Sequence, residues 1–335
     1  MDEFFDAADE HARALGPEYV ALWSAMRVAS NGGRRVRPGL VSNAYRAFGG
    51  TDDALATRVG DAIELLHTAF VIHDDVIDHD LRRRGRPNVN GEFLARAQDA
   101  GAAPEAAVGY GQAAGILAGD LALVGAFAAL ATIPADELTR ARLMTLVHDA
   151  VRVTAAGELE DVHLGLGTRT ATVDEALAVA EHKTAAYSFA LPLQAGALLA
   201  GASDEDLARL ADLGRQLGIA FQLCDDLLGV FGDESVTGKS TLSDLREGKL
   251  TALVAHAAQT PAWPSIEPHL GDPSLTAAGA ATLRARLEAC GARAFVEGLV
   301  DEHLHAARAL AHTVGLEAVV DRVTALAASD PGRAA

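Results

Sequence analysis

The chain has 335 residues, half of them hydrophobic, and a formal net charge of −18 at pH 7. That apolar share builds a large core and excludes a disordered acidic tail, while the negative balance argues against a nucleic-acid partner and means that an anionic ligand would need a local cluster of cations. Two cysteines, Cys224 and Cys290, provide neither a disulfide framework nor zinc spacing, which suits a reducing compartment.

In chain order, Ala, Leu, Glu and Arg dominate, and apolar positions recur at spacings of three and four, so nearly every segment is predicted helical. The acidic opening MDEFFDAADEH does not read as a secretory signal or transit peptide, and a cytoplasmic location is expected. A break at NGG, Asn31 to Gly33, leads into the basic run GGRRVRP. ATRVGDAIELLHTAFVIHD is predicted to form one amphipathic helix, followed by a break at QDAGAAPEA, Gln98 to Ala106. The most apolar run, GILAGDLALVGAFAALATIPA, is interrupted by Asp120. From Leu121 to Ile133 it is too short to cross about 30 Å of hydrocarbon, so it predicts a buried helix in mid-bundle with Asp120 partnered inside and no membrane span. EDLARLADLGRQLGIAFQLCDD predicts another long helix, QTPAWPSIEPHLGDP a break, and residues 328–335 a frayed tail. No linker divides the chain, and the chemical motifs run from Gly32 to Lys249, so a single helical domain over 1–335 is expected.

The stretch HDDVIDHDLRRRGRP, His73 to Pro87, crowds aspartates onto one helical turn. At about 4 Å and an effective dielectric of roughly 20, each like-charge contact costs on the order of 4 kcal/mol before screening, so something positive must relieve it. An echo appears downstream. Phe70 to Ile77, FVIHDDVI, recurs as FQLCDDLL from Phe221, and two helices each ending in a carboxylate pair could face one another as a cage for hard divalent cations. Mg²⁺ takes one or two carboxylates together with water and phosphate oxygens. Either pair alone could be a helix end reaching water; the two together, beside arginines, argue against it. Arg34, Arg35 and Arg37 suit bidentate phosphate binding, and Lys183, Lys239 and Lys249 add ammonium groups.

DDVID followed by LRRRGRP, with GGRRVRP upstream, HKTA in the middle, and FQLCDD, GK and DLREGK downstream, resembles the trans-isoprenyl diphosphate synthases, the polyprenyl synthetase family. The likeness runs from about Gly32 to Thr251. It implies an all-α bundle of the isoprenoid-synthase type around a central cavity, usually a homodimer. It also implies Mg²⁺-dependent condensation of an allylic diphosphate with isopentenyl diphosphate. By that resemblance Asp74, Asp78 and Asp225 hold three Mg²⁺ ions, with Asp75 and Asp226 supporting them. Arg83, Lys183, Gln222, Lys239 and Lys249 contact the allylic diphosphate, and Thr184 lies near the developing carbocation. Arg34, Arg37, His67 and Arg84 bind isopentenyl diphosphate. Pro192 is expected to kink the helix after Lys183 and Thr184.

Three positions depart from the family pattern. Arg34 stands where lysine is usual, PNVN replaces a Pro-Thr and His pattern, and Gly229 replaces the last aspartate of the second motif. A weakened second motif also marks non-catalytic partner subunits, so such a binding role is the rival from another class; a class I terpene cyclase is a second. Ala62, Leu66, Phe70 and Asp74 follow at steps of four and form one stripe leading away from the metals at about 5.4 Å per turn. One aromatic, Phe70, beside one small residue, Ala69, with Leu66 a turn further on, implies an intermediate floor for the growing tail. C20 geranylgeranyl diphosphate is the expected product, with C15 farnesyl diphosphate as the alternative.

Overall fold

A computed structural model describes residues 1–232 and 241–329. Apart from one two-stranded hairpin, the regular structure of these residues is helical. The chain forms two compact units, Met1–Ser42 with Asp52–Met144, and Asn43–Thr51 with 145–329.

The first unit contains α1 (Asp2–Ala14), α2 (Pro17–Ser30), most of α3 (Val36–Ala47), α4 (Asp53–Ile77), β1 (Arg82–Arg83), β2 (Arg86–Pro87), α5 (Val89–Asp99) and α6 (Pro104–Ala131). Asp52 caps α4 by accepting from the N–H groups of Ala54 and Leu55, each at 3.0 Å, which satisfies two otherwise orphaned donors. Pro104 opens α6 where a missing N–H costs nothing. The predicted breaks at NGG and QDAGAAPEA fall between α2 and α3 and between α5 and α6.

α6 differs from the expectation of a helix buried all round. Its buried face is a stripe of small residues, Ala107, Gly111, Ala114, Gly115, Ala118, Gly119, Ala122, Gly125 and Ala126. A Cβ on Gly111 would press on the Asn90 carbonyl oxygen at 2.6 Å, and one on Gly119 would overlap the His73 ring. The glycines therefore let α4 and α5 approach the α6 backbone closely. Of the large side chains Leu130 is fully buried, whereas Leu117 is 55% and Val124 67% exposed. Asp120 is likewise outside the packed face, its side chain 61% exposed, and pairs with His73 Nε2 at 3.3 Å. The sequence marked α6 as apolar throughout, but the face that packs consists mostly of its small residues.

α7 (Glu137–Gly165) carries the chain from one unit into the other. The second unit continues with α8 (Val173–Val179), a π-helical segment (Ala180–Ala190), α9 (Leu191–Leu199), α10 (Asp204–Phe231), α11 (Ser243–Glu247), α12 (Ala252–Ala258), α13 (Trp263–Ile266), α14 (Ala277–Ala289), α15 (Ala292–Val314) and α16 (Glu317–Ser329). Thr172 and Glu175 form a capping box at α8, and Ser203 caps α10. α10 packs on the π-helical segment and α15. Ile219, Leu223, Leu253, Leu283, Leu287 and Val296 fill the core on one side. The predicted break QTPAWPSIEPHLGDP contains α13 and one 3₁₀ turn rather than open loop. Of the predicted frayed tail, Ala328 and Ser329 end α16, and 330–335 lie outside the described residues.

The expected kink at Pro192 takes the form of the eleven-residue π-helix just before it, in which the Leu191 N–H reaches back to the Ala186 carbonyl. Pro192 has no N–H for either register, so it stands where the wider turns end and the α-helix resumes.

Candidate active site

In the first unit the aspartates occupy the C-terminal end of α4. The helix closes with a Schellman arrangement in which the Asp80 N–H bonds the Asp75 carbonyl at 2.9 Å and the His79 N–H bonds the Val76 carbonyl at 3.3 Å. His79 takes the left-handed conformation at φ 59°, a place usually given to glycine. Asp78 is the C-cap residue, exposed, one turn beyond the half-buried Asp74.

Arg83 relieves the crowding of carboxylates. Its Nε donates to Asp75 Oδ1 at 2.8 Å and a terminal nitrogen donates to Asp74 Oδ2 at 3.3 Å. Burial still pushes the Asp75 carboxyl up to about 6, against the pull of Arg83. Asn88 and Asn90, the unusual pair after the arginines, have structural work. Asn88 Oδ1 caps α5 by accepting from the Gly91 N–H at 2.9 Å, and Asn90 Nδ2 donates to the carbonyls of Asp75 at 2.9 Å and Asp80 at 3.4 Å. Asn90 therefore ties α5 to the last turn of α4, where the aspartates stand.

A cationic cluster lies in the same unit. The hairpin reverses through Arg84 and Gly85, both left-handed at φ 52° and 74°, which matches a two-residue primed turn. Arg84 donates to the Asn31 carbonyl at 3.2 Å and meets Gly32, in the break before α3. Arg37 and His67 are buried, and burial followed by the charges of Arg37, Arg83 and Arg84 pushes the His67 imidazole well below its ordinary value, so the ring is neutral. Glu64, also buried, faces Arg37 at 4.0 Å. Arg34 is half-buried. Ala69 and Leu66 are fully buried on α4 and Phe70 is half-buried, so only the upper part of the stripe is open.

In the second unit, α10, the π-helical segment and the turn after α11 bring four expected residues into one chain of contacts. Thr184 Oγ1 donates to Gln222 Oε1 at 2.8 Å, Gln222 Nε2 donates to Asp226 Oδ1 at 2.9 Å, and Lys249 Nζ stands 3.8 Å from the same oxygen. Burial raises the Asp226 carboxyl to about 6, with Lys249 opposing. Desolvation works against the charge on Lys249, but Asp226, Asp244, Asp161 and Asp225 outweigh it and raise its pKa. Asp225, half-buried, precedes Asp226 on α10. Lys183 ion-pairs with Asp161 at 2.7 Å and Glu158 at 3.1 Å. Those two carboxylates on α7 were not among the residues singled out from the sequence. The signal was present in GELEDV: two acids at i and i+3 beside Gly157, whose missing Cβ allows close approach, since one would lie 2.7 Å from His182 Cβ. Lys239 lies outside the described residues.

Asp74 and Asp78 offer hard carboxylate oxygens one turn apart, a donor set that fits Mg²⁺. Among the described residues no three His, Cys, Asp or Glu side chains converge on one point.

The polyprenyl synthetase family model matches residues 22–274. The chain is 33% identical over 261 residues to a short chain isoprenyl diphosphate synthase of Methanothermobacter thermautotrophicus, covering 77% of this chain and 74% of that one. It is 35% identical over 254 residues to a (2E,6E)-farnesyl diphosphate synthase of Mycobacterium tuberculosis, covering 75% and 64%. Others at similar identity carry geranylgeranyl and octaprenyl names. Among solved structures, a geranylgeranyl pyrophosphate synthase from Corynebacterium glutamicum, complexed with isoprenyl diphosphate and magnesium, superposes with a TM-score of 0.88 at 31% identity over 96% of this chain and 95% of that one. These likenesses and the helical fold define a prenyl-transferring class of protein. The chain belongs to the polyprenyl synthetase family.

Proposed function

We propose that this protein condenses an allylic diphosphate with isopentenyl diphosphate to give a short-chain trans-polyprenyl diphosphate, with C20 geranylgeranyl diphosphate favoured and C15 farnesyl diphosphate the alternative. The observation that carries the reading is that the first unit holds both a group of carboxylates and a group of cations. Carboxylates braced by Arg83 form one group, and the cluster of Arg37, Arg84 and neutral His67 forms another. A substrate that must ionise and one that must not require such different surroundings. Asp74, Asp78 and Asp225 would hold three Mg²⁺ ions, which when bound supply Lewis-acid stabilisation of the departing diphosphate. Arg83, Lys183, Gln222, Lys239 and Lys249 bind the allylic diphosphate, Thr184 lines the reacting carbon, and Arg34, Arg37, His67 and Arg84 hold isopentenyl diphosphate.

The protein acts in the cytoplasm as a homodimer, folded as one functional domain. The outward apolar face of α6, with Val108, Ile116, Leu117 and Val124 exposed, supports a second copy as its cover. Purified protein given Mg²⁺, isopentenyl diphosphate and an allylic primer should release diphosphate only when isopentenyl diphosphate is present. Release without it would point to a cyclase, and no release would point to a partner subunit. Light scattering after gel filtration should give twice the chain mass, and Leu117→Glu should lower it.

A further inference from the structure

The second aspartate motif reads DDLLG, so position 229 lacks a side chain where the first motif has Asp78, one turn beyond Asp74. The fold fills that space from elsewhere. A Cβ built on Gly229 would overlap Asp244 Oδ2 and lie 2.9 Å from Asp244 Cγ, well inside van der Waals contact. The carboxylate of Asp244 therefore rests against the Gly229 Cα, on the face of α10 that carries Asp225 one turn earlier. Local structure holds it there. α11 ends at left-handed Gly248, and the Lys249 N–H returns to the Asp244 carbonyl at 3.2 Å. Asp226 and Lys249 both sense the Asp244 charge together with that of Asp225. Any side chain at 229 would have to displace this carboxylate; glycine alone leaves it the room.

We propose, resting on the reading that Asp225 holds a divalent cation, that Asp244 takes the part of the aspartate missing at 229 and pairs with Asp225 toward the metal as Asp78 pairs with Asp74. Gly229 is then a relocation of the acidic group rather than a loss of it. The donor chemistry is unchanged, since a hard cation needs carboxylate oxygens in place and not a particular chain position to supply them.

Mn²⁺ serves as the probe, titrated by electron paramagnetic resonance into the full chain with inorganic diphosphate present. Asp244→Asn should weaken one Mn²⁺ site by about 10- to 100-fold, a range that spans loss of a metal-orienting partner. Gly229→Ala should weaken the same site although it removes no charge, because its Cβ expels the carboxylate. The double variant Gly229→Asp with Asp244→Ala should recover the affinity. Wild-type Mn²⁺ affinity in Asp244→Asn overturns the inference. So does a double variant that stays weak while its circular dichroism and melting temperature match the wild type. A wild type that turns over isopentenyl diphosphate while all variants bind Mn²⁺ alike overturns this inference alone; a wild type that neither turns over nor binds Mn²⁺ with diphosphate overturns the proposed function as well.

Discussion

Arg83 bridges Asp75 and Asp74, donating through Nε to one at 2.8 Å and through a terminal nitrogen to the other at 3.3 Å. The planar guanidinium reaches the two carboxylates through two different nitrogens in a fixed fork, a geometry that the single nitrogen of a lysine does not reproduce. Arg83→Lys should therefore lower turnover and raise the Mg²⁺ concentration for half-maximal rate. Asp74→Ala and Asp78→Ala should each lower turnover by at least about 10², the scale of losing one stabiliser of developing charge. Steady-state rates across an Mg²⁺ series check both, and near-wild-type activity in either alanine variant removes the metal assignment.

Arg37→Ala should mainly raise the KM for isopentenyl diphosphate. Arg37 is buried, faces Glu64 at 4.0 Å and belongs to the group assigned to isopentenyl diphosphate, so the allylic substrate should be affected less. An equal rise for the allylic substrate with none for isopentenyl diphosphate would mean that the pockets are reversed.

His67 makes the fold sensitive to acid. Its imidazole is pushed below the ordinary 6.5, first by burial and then by three guanidiniums, so between the folded and unfolded pKa values the unfolded chain binds the extra proton. Stability from this group is present above about 6.5 and is lost as pH falls through the folded value. Between about pH 7 and about 5, a window set by the ordinary histidine value, the wild type should lose more melting temperature, or gain less, than His67→Gln, while Asp75 and Asp226, raised to about 6 in the fold, act in the opposite sense in both proteins. An identical slope in the variant would place the acid sensitivity in other groups.

Much of this was legible in the sequence because it depends on spacing along one helix. Asp74 with Asp78, and Gln222 with Asp226, stand four residues apart and meet through helical geometry alone. Asp244 beside Gly229, and Glu158 and Asp161 around Lys183, were not legible, because each contact joins separate elements and depends on a glycine that brings their backbones together. Asn90 looked like a departure from a pattern; its role needed the three-dimensional path of the carbonyls it joins. The orientation of α6 failed for a related reason, since hydropathy does not distinguish the small residues that pack from Ile116, Leu117 and Val124, which are exposed.

Asn90→Ala tests that tie directly. Losing a buried donor to two carbonyls should cost about 1–3 kcal/mol, read as a lower midpoint in denaturant. Because those carbonyls flank Asp78, the Mg²⁺ requirement should also rise, whereas loss of stability at unchanged Mg²⁺ dependence would confine Asn90 to the fold.

Product length rests on α4 itself. Asp74, Phe70, Leu66 and Ala62 succeed one another by turns, and a prenyl tail whose diphosphate is held at the aspartates must extend toward Phe70 first. Phe70 is half-buried, whereas Ala69, Leu66 and Ala62 are buried, so Phe70 is the large side chain of this stripe with surface to offer a growing chain. Trimming it to alanine removes the ring yet leaves the buried turns beneath it. Phe70→Ala should therefore shift products from C20 toward longer chains without abolishing turnover, read by chromatography of the dephosphorylated alcohols. Leu66→Ala should add little by itself while Phe70 still stands above it, and more once Phe70 is also trimmed. An unchanged distribution in Phe70→Ala places the floor on another helix, and a shift in Leu66→Ala alone would reverse the order of the two residues along the path.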